Sequence, residues 1–168
     1  MTFNSKFLAF LCFLSLTLGV TAQNCGVCTK NGIDMPISLR ASVVRTPEFL
    51  AKKGFCNLDI EVKWLLPTDE LRCKMGFAIS PSDNHCKWES LLDFKWRVLD
   101  GDRVIAEGHE SGRSTGFQAD KTSLSRNIGY FKAVAHRKYI VELTFLKDAS
   151  ALDVVQPRLI VEQPGFAF

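Results

Sequence analysis

The stretch that most limits the fold is residues 56–66, CNLDIEVKWLL. Cys56, Leu58, Ile60, Val62, Trp64 and Leu66 fall on one side of a period of two, with Asn57, Asp59, Glu61 and Lys63 on the other. A helix would scatter these residues around its surface, whereas an extended chain places all the apolar ones on one face. The segment therefore predicts a half-buried strand, ended by Pro67, which cannot donate to a ladder.

The same alternation recurs along the chain. Ile37, Leu39, Ala41 and Val43 predict a strand after a polar lead-in over residues 25–35. Residues 45–54 read as a connection with one helical turn over 48–53. Leu92, Phe94, Trp96 and Val98 predict a further strand that stops at Asp100-Gly101, a hairpin-turn pair, so residues 103–107 are expected to fold back antiparallel. Residues 108–122 are either a long loop or a loop with a short edge strand around Phe117. Residues 124–133 make a weaker strand broken by Gly129, Tyr139 to Phe145 a stronger one, and residues 158–162 the last, after a return over 148–156. About seven short strands with turn signals and no alternating helices define an all-β, antiparallel sandwich, with a closed barrel as the other solution.

Residues 67–90 separate the second and third of these strands. A short helix is expected there, started at Thr68 or Asp69 and ended near Gly76, followed by the turn formers Pro81, Ser82, Asp83 and Asn84.

The N-terminus reads as a secretory signal peptide over residues 1–22: a polar start with Lys6, an apolar run from Phe7 to Val20, and a small-residue close at Ala22. The apolar run is short for a membrane span and no second one follows. Residues 23–168 are then one domain of ordinary size in an oxidising space, periplasmic or extracellular, without a transmembrane anchor. Lys and Arg number 21 against 18 Asp and Glu, mixed along the chain, so there is no basic footprint for nucleic acid.

Five cysteines lie beyond the signal: Cys25, Cys28, Cys56, Cys73 and Cys86. Their odd number leaves at least one without an internal partner. Cys73 with Cys86 is the favoured pair, because both sit in the irregular loop and closing about fourteen residues stabilises by roughly 3 kcal/mol. Cys56 is expected to bond to Cys25 or Cys28. Cys25-Gly26-Val27-Cys28 has redox spacing but lacks the strand-to-helix setting of thioredoxin-like motifs. A zinc site from Cys25, Cys28, His85 and Cys86 has suitable ligand types but the wrong spacing, so no metal and no cofactor is assigned. His85, His109 and His136 stand alone in loops, no serine has a nucleophile-elbow frame, and the pairs Asp69/Glu70 and Glu107/Glu110 read as solvated charges. No catalytic residue is assigned.

The final third, IGYFKAVAHRKYIVEL followed by QPRLIVE, resembles the last strands of immunoglobulin-like sandwiches, in which a tyrosine enters the penultimate strand after a tight corner. Tyr139 matches that tyrosine, and Trp96 resembles the buried tryptophan of the same architecture. No cysteine lies on the strand of Tyr139, so the resemblance is to a generic sandwich without the antibody inter-sheet disulfide. More narrowly, W-x-V-L-D-G at Trp96, R-x-I-G-Y-F at Arg126, R-x-Y at Arg137 and P-R-L-I-V at Pro157 are similar to a bacterial family of small exported proteins of unknown function. That resemblance implies a periplasmic address and supplies no catalytic residues.

The function expected is binding a protein or glycan of the cell envelope through loops on a rigid scaffold. Trp88, Lys87, Asp83 and Phe117 are the candidate contacts, with Trp88 the anchor, while Tyr139, Trp96 and Trp64 are structural. A periplasmic immunity or inhibitor protein against an envelope-attacking enzyme is the more specific form. An enzyme or thiol-redox protein using Cys25 and Cys28 is the other class.

Overall fold

The computed structural model describes residues 28–29, 32–78 and 86–163. The chain is mostly antiparallel β in two sheets. Among the described residues the strands are β1 (Cys28–Thr29), β2 (Gly32–Pro36), β3 (Val43–Arg45), β4 (Phe49–Leu50), β5 (Gly54–Lys63), β6 (Asp93–Asp100), β7 (Arg103–Ser111), β8 (Phe117–Ala119), β9 (Ser123–Ala133), β10 (Lys138–Phe145) and β11 (Arg158–Glu162), with one α-helix, α1 (Thr68–Lys74), between β5 and β6. Seven of these strands, β2, β5, β6, β7, β9, β10 and β11, have five residues or more.

The first sheet runs β1-β2-β11-β5-β9-β8 and the second β3-β10-β6-β7, with β4 also paired to β10. The last strand lies between β2 and β5, and β3 takes the place beside β10. In the immunoglobulin order the last strand pairs with the penultimate one.

The alternation of residues 56–62 falls in β5, which ends at Lys63, before Trp64, Leu66 and the expected stop at Pro67. Cys56, Leu58, Ile60 and Val62 are buried between the sheets, facing Phe94, Val98, Val141 and Leu143 among others in one core. Several expected elements change. Within the lead-in expected over residues 25–35, Cys28–Thr29 and Gly32–Pro36 are β1 and β2 of the first sheet. The strand expected over residues 37–43 is a crossing: β2 ends at Pro36, and Ser38 Oγ and Leu39 N–H donate to the Asp153 carboxylate at 2.7 and 2.8 Å rather than to a ladder. Asp153 belongs to a 3-10 turn over Ser150–Val155. The chain then enters the second sheet at β3, where Val44 is buried and Val43 exposed. The helical turn expected over 48–53 is the short strand β4 instead, because Phe49 fills the core beside Tyr139.

Residues 123–133 form one eleven-residue strand. Gly129 does not break it but sits at a bulge opposite Leu58 and Asp59. A Cβ on Gly129 would lie 2.3 Å from the Trp96 ring, and one on Gly108 2.6 Å from it. The two glycines, one from each sheet, thus make the slot that admits Trp96, which is 8% exposed. Tyr139 is buried and its hydroxyl accepts from the Val134 N–H at 2.8 Å and donates to the Val134 carbonyl at 3.4 Å. This ties the turn that carries the chain from β9 to β10, where His136 takes a left-handed φ of 64°.

Candidate functional site

The irregular region between β5 and β6 is built as a unit at one end of the two sheets. After Pro67, α1 carries Asp69 and Glu70 in its first turn and Arg72 and Lys74 in its last, the order its dipole favours. Leu71 and Met75 are fully buried beneath it. Gly76 ends the helix at φ +80°, where a Cβ would meet the Gly112 carbonyl at 2.2 Å. Glycine is therefore required both by conformation and by the close approach of the second loop.

Three devices hold this region. Cys73 and Cys86 form the favoured disulfide, with Cα atoms 5.2 Å apart. Backbone bonds join the two loops, Ala78 N–H to Ser114 C=O at 2.9 Å and Ser114 N–H to Gly76 C=O at 2.7 Å, and Leu91 N–H to Lys74 C=O at 2.9 Å closes the first loop on itself. The third is Arg126, on β9. Its guanidinium is fully buried and donates to Met75 C=O at 2.8 Å, Gly112 C=O at 3.2 Å and the Glu110 carboxylate at 3.1 Å. Burial lowers its pKa, and Glu110 opposes that shift.

Aromatic rings fill the space between these cations. Arg72 lies over Trp64 and Phe77 at 5.8 and 5.3 Å, Phe77 meets Phe117 edge-on at 5.2 Å, and Arg126 lies 5.9 Å from Phe117. Trp64 also donates from Nε1 to Asp120 C=O at 3.0 Å. Phe117, expected as a contact, is thus half-buried packing beneath the loops.

Trp88 is 42% exposed and Lys87 is exposed. With the disulfide, Glu89, Ser90 and Arg113 they border an open depression of about 380 Å3. Asp83, His85, Cys25 and the side chain of Cys28 lie outside the described residues, as do Phe166 and Phe168.

The remaining chemistry-bearing residues are accounted for singly. Cys56, expected to bond to Cys25 or Cys28, is a free thiol in the core, and burial pushes it up to about 11. The backbone of Cys28 lies in β1, three strand positions from β5, about 14 Å at ordinary strand spacing and twice the reach of a disulfide. Cys86 is committed to its disulfide and is no zinc ligand. His109 pairs with Asp93 at 2.8 Å, Glu70 with Lys74 at 2.6 Å, and Glu110 with Arg126. Among the described residues no group of His, Cys, Asp and Glu is arranged to hold a metal ion, and no helix is long and apolar enough to cross a membrane.

Arg126 is the residue that reading the sequence for function passes over. It shares the inward phase of Leu124 and Ile128, and a charge in register with core residues is the signal that marks it.

No family model matches the chain, and no curated protein matches it with significance. It is similar in fold to a crystal structure of a protein from Sulfurospirillum deleyianum, with a TM-score of 0.51 at 14% identity over 80% of this chain and 98% of that one. At that identity the likeness speaks to the fold alone.

Proposed function

We propose that this chain is an exported, immunoglobulin-like sandwich that binds a protein or glycan of the cell envelope through its strapped loop end. The observation that carries the reading is Trp88, an indole left 42% exposed on a segment tied down at the Cys73–Cys86 disulfide and again at Leu91. A large aromatic offered from an ordered loop binds with little conformational entropy to lose, which is how interface anchors work. The disulfide fits an oxidising compartment. The Tyr139 corner and the Trp96 slot are the features of the sandwich that favour the immunoglobulin-like description, although β11 takes a different sheet position.

The test is recovery of a bound component from envelope extract of the native host by the tagged chain, in parallel with Trp88→Ala and Lys87→Ala. Retention by the wild type that drops at least tenfold in Trp88→Ala is expected. Equal retention by both variants rejects this interface.

A further inference from the structure

A second surface lies away from the loop end, on the outer face of the first sheet. Phe55 on β5 and Tyr130 on β9 stand there side by side, 56% and 64% exposed, with ring centroids 6.0 Å apart and edge-on. Their faces touch water, not core. Two strand positions beyond Asn57, the same face of β5 carries Asp59 and Glu61. These open on a trough of about 380 Å3, bordered also by Glu162 of β11, Asp34 of β2 and Asp120 after β8.

The trough is lined by carboxylates and, among the described residues, by no Lys or Arg, while Lys63 and Lys132 are exposed elsewhere on the face. Asp34 is matched by Arg158 at 2.6 Å, and Asp120 by the amides and hydroxyls of Thr122 and Ser123. Asp59, Glu61 and Glu162 have no cationic partner among the described residues. Asp59 is the deepest, only 8% exposed, yet its carboxylate receives one side-chain donor, Asn127 Nδ2 at 3.2 Å on Oδ1. Burial, with Glu162 and Glu61 beside it, raises its pKa to about 6. Asp59 lines the trough together with Glu61 and Glu162.

We propose that this face binds an extended cationic peptide segment, an ammonium entering the trough at Asp59 and Glu61 while an apolar side chain rests on Phe55 and Tyr130. Phe55 and Asp59 are four residues apart on one strand, about 13 Å, which an extended peptide spans in about four residues. A lysine suits the trough because its charge is compact and its stem flexible. An exposed aromatic pair beside it accepts an aliphatic or aromatic side chain, and also a cation over a ring face. At the trough an anionic partner would meet Asp59, Glu61 and Glu162, none of them ion-paired among the described residues.

The probe is a short fluorescein-labelled peptide of lysines and leucines, with a glutamate–leucine peptide and a lysine–glycine peptide as comparisons, measured by anisotropy at physiological salt. The lysine–leucine peptide is expected to bind best. Asp59→Asn with Glu61→Gln should weaken it at least tenfold, about 1.4 kcal/mol. Phe55→Ser should erase the preference for leucine over glycine while leaving lysine dependence. Circular dichroism of each variant shows that it is folded. Three results overturn the proposal: no binding of the lysine–leucine peptide, equal binding by the charge variants, or self-association that Phe55→Ser abolishes while peptide binding is absent.

Discussion

Arg126→Met tests whether the loop end is held from below. The substitution keeps an apolar stem of similar length and removes the guanidinium. Met75 C=O and Gly112 C=O lose their donor, and the Glu110 carboxylate loses its counter-charge. Hydrogen bonds to charged groups contribute about 1.5–3 kcal/mol each, and removing one partner of a buried pair costs about 3–5 kcal/mol. Arg126 Nε is buried without a partner, and losing it offsets part of that cost. The expected loss is therefore about 3 kcal/mol. In urea, with a slope of about 1–3 kcal/mol/M, the midpoint falls by at least about 1 M. Hydrogen exchange locates the effect: protection of the Ala78 and Ser114 amides, which join the two loops, should fall further than protection within β5. Arg126→Lys should recover part of the stability, since one ammonium cannot span two carbonyls and a carboxylate as a planar fork does. A loss below about 1 kcal/mol with unchanged exchange at Ala78 and Ser114 would refute the clamp.

Gly129→Ala places a methyl 2.3 Å from the Trp96 ring, and overpacking of about 1–3 kcal/mol or more is expected by chemical denaturation; Trp96→Phe in the same chain should recover part of it. Tyr139→Phe leaves the Val134 amide without its acceptor and should cost about 1–2 kcal/mol, with no loss from removing the ring because the ring remains. Asp59→Asn acts through pH. The folded-state value of about 6 lies above the ordinary 3.8, so the folded protein holds the proton more tightly and stability falls as pH rises from about 4 to about 6. The asparagine variant should be more stable than the wild type at pH 7, on the order of 2 kcal/mol after solvent screening, and equal to it near pH 4; a wild-type stability that rises across this range contradicts the assignment.

The β architecture was legible wherever one face of a strand is buried and the other wet. Residues 56–62 and 92–98 show this best, because each apolar side chain in phase is buried in the shared core. The pairing of Cys73 with Cys86 was also legible, since the two lie in one irregular segment. The crossing at residues 37–42 was not, because Ile37 and Leu39 keep strand-like alternation while the backbone bonds to Pro157 and Asp153 instead of a neighbouring strand. Phe49 belongs to a two-residue strand too short to show a period. The bulge at Gly129 looked like a break because the need for glycine comes from Trp96, distant in the chain. Of the candidate contacts, Trp88 and Lys87 border the open depression, whereas Phe117 is drawn under the loops by Phe77 and Arg126. The trough at Asp59 joins residues of β2, β5 and β11, and only the strand order brings them together.

The most direct test of the loop end as the contact surface is site-specific photocrosslinking in the envelope of the native host. A photoreactive amino acid replaces Trp88 in one chain and Val104, on the edge strand β7, in another. Position 88 is expected to give a discrete adduct with an envelope component and position 104 none. An adduct from position 104 with none from position 88 would contradict the account.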